Sequence, residues 1–330
     1  MRGDIFCFSK NRMINSFRSF FSEYFIIPLY LCVFVGLGWN SPQYFFNYDA
    51  ITNILIYATS LLILSLAQGI VIITGNIDLS IIGIAGFTAY FGWFLNVMYN
   101  LPVLIIFPIM ILLGIAWGAF NGFMIQKVGV PSLVQTLSVM FILYGFLLVA
   151  TGGTSLGGFS SDYVWLGSAT LLNIRVILLV VLPLVCLLGF YLIHLSKLGL
   201  RLLFVGGNKN AAFLLGINVD RTIILAFTLS GALSALAGFV TSSRLGIITT
   251  FFGRELLMPS IAAPVIGGVS LSGGEGSFIG ILFGSLLMQT ISTGLIAIGI
   301  SAWYIDIVNG LIILIAITVD AVRRRRLVKA

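Results

Sequence analysis

The string Val269-Ser-Leu-Ser-Gly-Gly-Glu-Gly-Ser277 is a near match to LSGGQ, the signature with which ATP-hydrolysing cassettes contact nucleotide, so ATP chemistry is the first possibility to weigh. Hydrolysis needs more than that string. The sequence has no GxxxxGK[ST] to cradle phosphates and no acidic Walker B strand to hold Mg²⁺. The string reads instead as a tight turn, in which Gly273, Gly274 and Gly276 let the backbone reverse and neighbouring helices approach closely. Glu275 is then expected at the start of the following helix, where the helix dipole favours a carboxylate. A second acid, Asp78, lies in Gly75-Asn-Ile-Asp-Leu-Ser80 between two apolar runs. A carboxylate at membrane depth is a functional candidate by default, and it is equally a cap for the helix that follows; both roles stay open. The lone His194 has no partner nearby in sequence. Cys7, Cys32 and Cys186 lie far apart, without metal-ligand spacing, and read as small buried hydrophobes.

These residues must be positioned by elements suited to lipid. Of 330 residues, 59% are hydrophobic and 8% charged, and mean hydropathy is +1.14. A soluble domain carries roughly a quarter charged residues, so the chain is expected to be an all-α integral membrane protein, one transmembrane domain over residues 1–330. Apolar runs of about 20 residues, enough to cross a hydrocarbon core of about 30 Å, recur along it. Spans are placed at 25–40, 51–74, 81–98, 101–125, 133–151, 176–195, 223–242, 257–271, 277–299 and 302–321. Lipid cannot satisfy an open sheet edge, and barrel strands are about half this length, so a helical bundle is the remaining solution. The eighth run is short and carries Pro259 and Pro264, which marks it as broken. Residues 1–24 mix charge with aromatics and lack a cleavable leader pattern; they are expected to stay cytoplasmic and uncleaved.

The positive-inside rule then orients the bundle. With the amino end inside and an even number of crossings, only Arg175, Arg244 and Arg254 of the 17 basic residues fall outside. Both termini are expected in the cytoplasm, with 322–330 a basic tail that anchors to lipid headgroups. That distribution accounts for the net charge of +7 without nucleic acid.

Two further stretches are informative. Residues 198–222 are too basic to cross, yet Ala211-Ala-Phe-Leu-Leu215 is apolar and bounded by Asn210 and Gly216, which predicts a short amphipathic helix with Gly216 its stop. It serves either the membrane surface or a cytoplasmic partner. Small residues also recur late in the chain, at Gly231, Ala235 and Gly238, at Gly267 and Gly268, and at Gly280 and Gly284, the last two spaced GxxxG for helix packing.

Five stretches in order, ITGNIDLS (73–80), NGFMIQKVGVPSLVQTLSVMFILYG (121–145), VGGNKNAAFLLGINVDRT (205–222), LSGALSALAGFVTSSRLG (229–246) and IAAPVIGGVSLSGGEGSFIGILFGSLL (261–287), carry a resemblance. Over residues 45–325 the chain resembles the membrane permeases of bacterial ABC importers for ribose, arabinose, xylose, galactose and related small sugars. The resemblance implies a transport subunit in the bacterial inner membrane that is not itself an enzyme. It also implies two permeases, identical or paralogous, two cytoplasmic ATPases that bind the ATP and Mg²⁺, and an extracytoplasmic binding protein that delivers the sugar. It makes 206–217 the coupling helix seated on the ATPase, with Gly206, Gly207, Asn208, Ala211, Ala212, Gly216 and Ile217 matching the pattern. Lys209 and Asn210 replace acidic residues frequent there, and Asn76 stands where the family usually has Gly. Glu255-Leu256 matches the family's Glu-Leu pair, and the following Leu257-Met258-Pro259 is similar to the branch that imports autoinducer-2.

The path-lining candidates are the polar residues within or between spans: Ser65, Gln68, Thr74, Asn76, Asp78, Gln289 and Thr293. Arg244, Arg254 and Glu255 are expected on the outer face as contacts for the binding protein, contributing steering more than affinity. A monosaccharide is the expected cargo, with autoinducer-2, a nucleoside or a polyol as alternatives. The competing class is an ion-coupled secondary transporter that uses Asp78.

Overall fold

The computed structural model describes residues 25–329 apart from 41, 172 and 173. The amino-terminal segment 1–24, with Cys7, and the side chains of the basic tail lie outside the described residues. The fold is helical throughout: α1 Ile26–Asn40, α2 Tyr48–Ile73, α3 Ile81–Trp93, α4 Val103–Phe123, α5 Ser132–Thr151, α6 Ser161–Ser168, α7 Leu182–Phe190, α8 Lys197–Gly207, α9 Lys209–Leu214, α10 Val219–Leu245, α11 Leu257–Ile266, α12 Phe278–Ala297 and α13 Ala302–Lys329. Wide π turns extend α3 to Met98, α4 to Val128, and α7 at both ends, over Ile177–Val181 and Tyr191–Leu195. Among the described residues the sole sheet is a two-residue hairpin, β1 Thr170–Leu171 with β2 Ile174–Arg175.

Every expected span has its helix, and seven are long and apolar enough to cross a bilayer. The largest departure is the eighth, expected over 257–271. The helix stops at Ile266, and Gly267 to Ser277 form a turn instead. Two further elements were not foreseen. The short α6 and its hairpin fill the link between α5 and α7, and α8 is a helix of its own ahead of α9.

Helix α2 is the axis of the bundle. Residues 58–73 are buried on every side, which explains a run that is apolar all round instead of striped. It packs against α10, α12 and α11. In lipid, helices gain little from hydrophobicity alone and associate where small residues let backbones meet. The tightest pair is α4 with α10. A Cβ at Gly114 would collide with the Gly231 carbonyl and one at Gly118 with that of Phe227, while one at Gly122 would sit 2.8 Å from the Ile224 Cα. Gly280 and Gly284 likewise face the carbonyls of Gly267 and Ala263, so the GxxxG spacing seats α12 on α11. Of the cysteines, Cys186 is half-buried but Cys32 is exposed on α1, against expectation.

Candidate functional site

Three loops meet at one end of the bundle, here called the junction end. The carbonyl of Ile73, last residue of α2, accepts a hydrogen bond from Gly274 N at 2.9 Å. Gly273 and Gly274 both hold left-handed backbone, φ +83° and +82°, a conformation that costs glycine nothing and other residues ~1 kcal/mol or more. The Gly273-Gly274 turn also lies against the end of α8. A Cβ at Gly206 would collide with the Ile73 carbonyl and come within 2.5 Å of Gly274 N, and a Cβ at Gly274 would lie 2.7 Å from the Gly207 Cα. Backbones at 73–75, 206–207 and 273–274 therefore touch with no side chain between them. The LSGGE string is a structural rivet. Ser277 caps α12, its Oγ accepting from Gly280 N at 3.0 Å, and Glu275, expected at the start of this helix, is exposed two residues before the cap. His194 Nε2 accepts from Phe278 N at 3.1 Å, satisfying another free amide of that helix.

The segment beyond Gly207 projects from this rivet. Asn208 Oδ1 accepts from Ala211 N at 3.0 Å and starts α9. Gly216, at φ +77°, ends the turn that follows it, and Asn218 Oδ1 starts α10 by accepting from Arg221 N at 2.9 Å. Two caps and a left-handed stop fix a six-residue helix that could not persist alone. Ala212 is buried beneath it, whereas Phe213, Leu214 and Leu215 are 71%, 84% and 67% exposed. A depression of about 360 Å³ lies beside them, bordered by Phe213, Gly216 and Ile217 to Asp220. Asp220 pairs with Lys127 at 2.7 Å, tying the end of α4 to the start of α10.

Inside the rivet lies a buried polar cluster. Asp78 is fully buried. Its Oδ1 accepts from Ser80 N at 3.0 Å and Ser80 Oγ at 2.6 Å, and its Oδ2 from Ser230 Oγ of α10 at 2.8 Å. Ser80 Oγ in turn accepts from Asn121 Nδ2 of α4 at 2.8 Å, and Asn121 Oδ1 from Gln135 Nε2 of α5 at 3.2 Å. Thr136 Oγ1 receives Leu79 N at 3.1 Å. The joint between α2 and α3 is thus bonded to α4, α5 and α10. Asn121 stands about seven residues, roughly 10 Å, inside the end of the α4 rod, so the acid sits at membrane depth. It is held there by hydroxyls and an amide, without an opposing cation. This is the cap-like role, extended across three neighbouring helices. Asn121, Gln135, Thr136 and Ser230 escaped sequence reasoning, because nothing in their spacing places them on one centre.

The other expected path residues divide in two. Thr74 Oγ1 donates to Val71 O at 2.7 Å and Asn76 Nδ2 to Thr74 Oγ1 at 2.9 Å, so both stabilise the joint. On α12, the half-buried Gln289 bonds Thr293 at 3.1 Å. Only Ser65 and Gln68, both fully buried on α2, leave polar atoms without a partner among the described residues.

The three residues expected on the outer face do not share one position. Arg244 ends α10 half-buried, its guanidinium 4.2 Å above the Tyr57 ring, with Gly167 of α6 pressed against its backbone. Arg254 and Glu255 are exposed but not at the rim. After Thr250, which meets Thr151 at the end of α5 at 3.2 Å, the chain dives inward. The Phe251 ring packs on Tyr144, centroids 6.0 Å apart, and the Phe252 Cβ would lie 3.6 Å from a Cβ on Gly86 of α3. Tyr144 lies about seven residues inside the α5 terminus, roughly 10 Å. The charged pair therefore opens α11 level with the interior of α5 and not with its end. The sequence misses this because extended apolar chain and apolar helix share a composition.

A polytopic, all-α membrane subunit with a helix presented beyond a glycine junction is the class this geometry defines. A family model described as the permease component of branched-chain amino acid transport systems matches residues 50–317. The chain is 36% identical over 321 residues to the autoinducer 2 import system permease protein LsrC of Enterobacter sp. (strain 638), covering 97% of this chain and 90% of that protein. It is 33% identical over 291 residues to the LsrC proteins of Salmonella typhi and Escherichia coli O157:H7, covering 88% of this chain and 83% and 84% of theirs. No solved structure matches. The chain belongs to the ABC importer permease family that includes the branched-chain amino acid and monosaccharide permeases.

Proposed function

We propose that the chain forms half of the membrane core of an ATP-driven importer for a small polyhydroxylated molecule, with autoinducer-2 the favoured cargo. The cargo assignment is supported by relatives named for autoinducer-2 import over nearly the full chain. The mechanism is supported by the exposed apolar triplet Phe213, Leu214 and Leu215, carried on a capped helix whose base touches the α2 terminus and the 273–274 turn.

In this reading the junction end faces the cytoplasm, both termini lie there, and α9 occupies a cleft on an ATPase that holds the ATP and Mg²⁺. Gly206, Gly207, Asn208, Ala211, Ala212, Gly216 and Ile217 build and position that helix; Phe213 to Leu215 make the contact. When two ATPases close on ATP, each α9 is displaced. The backbone contact at Gly206 passes the movement to α2 and α12 without a compliant side chain in between. The second permease is another copy or a paralogue, and a binding protein delivers cargo at the opposite end, where Arg244 is the remaining steering charge. An ion-coupled carrier using Asp78 has less support, since all the donors around that carboxylate are neutral groups that bind it in place.

Uptake of labelled autoinducer-2 and D-ribose by cells expressing this chain with its ATPase, partner permease and binding protein tests the reading. Uptake is expected to require ATP and to fall at least about tenfold in Phe213→Glu, which puts a charge into an apolar contact worth ~1.5–3 kcal/mol. Uptake that follows the proton gradient and ignores the ATPase would overturn it.

A further inference from the structure

The 247–256 segment is irregular chain as far as Gly253 and a single 3-10 turn over Arg254–Leu256, level with the interior of α5. Such backbone is tolerated where protein buries it or where it lines a water-filled cavity. Its two charged residues separate these cases. Arg254 and Glu255 are both exposed on the surface of this chain. Neither forms an ion pair: among the described residues the only one is Lys127 with Asp220, at the far end of the bundle. The Arg254 guanidinium lies 5.6 Å from the centre of the Phe251 ring. Beside them the Tyr144 hydroxyl is enclosed and has no partner among the described residues. Two free charges of opposite sign and an unsatisfied hydroxyl at this depth do not suit hydrocarbon, because an ionisable group in lipid is expensive unless it meets water or a partner.

We propose that Arg254 and Glu255 form a hydroxyl-binding step in a water-filled passage. Polyhydroxylated cargo exchanges hydration there for the guanidinium and carboxylate on its way past the start of α11. The chemistry fits: vicinal hydroxyls donate to a carboxylate and accept from a guanidinium, and hydrogen bonds to charged groups are the stronger ones. The step rests on the importer reading and refines it. It removes Arg254 and Glu255 from the surface offered to a binding protein and assigns them to the path.

The test uses the assembled complex in membranes, with Cys7, Cys32 and Cys186 replaced by serine. Arg254→Cys and Glu255→Cys are probed with a membrane-impermeant thiol reagent, in the presence and absence of ATP, with Leu187→Cys, exposed mid-helix on α7, as the lipid-facing control. The proposal expects the 254 and 255 positions to react, the 187 position to stay silent, and autoinducer-2 or D-ribose to slow the reaction at 255. In the native-cysteine protein, Glu255→Gln is expected to raise KM for uptake about 10- to 100-fold with a smaller change in kcat, the span of one charged hydrogen bond. No labelling at either position in any nucleotide state overturns the proposal, because the face is then covered by a partner or by lipid. Labelling without protection, together with an unchanged KM in Glu255→Gln, overturns it as well. If the unmutated complex imports neither probe, the cargo assignment fails, while the labelling pattern still reports whether the face is wet.

Discussion

The two ends of this bundle solve opposite problems with similar sequence. At the junction end, glycines remove side chains so that three backbones touch at Ile73, Gly206 and Gly274, and the polar cluster behind them is saturated with internal hydrogen bonds. At the other end, Gly246 closes α10 in left-handed backbone, and the chain turns inward with Arg254 and Glu255 exposed and the Tyr144 hydroxyl unmatched among the described residues. In the proposed reading the difference separates parts that transmit movement from parts that meet cargo. A transmitting contact needs short, stiff, satisfied geometry, and a passage needs polar groups left free.

Disrupting the saturated side should cost most. Asp78→Ala removes the acceptor for Ser80 and Ser230 and leaves their buried donors unmatched, at ~1–3 kcal/mol each. The expected result is a protein that unfolds at markedly lower temperature in detergent, with uptake reduced in proportion to the folded fraction. Asp78→Asn, which keeps an acceptor, should lose less. If the two variants were equally stable, the cluster would not be the brace described here. At the small end of the scale is the exposed Lys127–Asp220 pair, 2.7 Å apart. Lys127→Ala should change stability by ~0.2–1 kcal/mol, and less in high salt. A large, salt-independent loss would mean that the tie between α4 and α10 relies on charge more than on the Gly114, Gly118 and Gly231 contact.

How legible the two ends were follows the same division. Span positions were readable because lipid imposes length and apolarity on each run separately, and α9 was readable because Gly216 closes an apolar segment in a basic loop. What joins distant segments was not. Ser230 is 152 residues from Asp78, and Asn121 is 41 from Ser80. Each alone is an ordinary polar residue in a membrane helix. The depth of Arg254 and Glu255 escaped for another reason, since it depends on where α11 starts, and both Pro259 and Pro264 lie inside a helix that still forms. Glu275, expected at the start of α12 for its charge, falls two residues short of Ser277, whose hydroxyl accepts from the free amide of Gly280.

The most direct measurement of the central claim is ATP-driven uptake by the reconstituted complex carrying Gly206→Ala, with ATP hydrolysis followed in the same vesicles. The added methyl must displace the Ile73 carbonyl or the Gly274 amide, an overpacking cost of ~1–3 kcal/mol. The account predicts that the complex assembles and hydrolyses ATP while uptake falls about tenfold or more. Uptake at the unmutated rate, with hydrolysis equally intact, would contradict the claim that movement passes through this backbone contact.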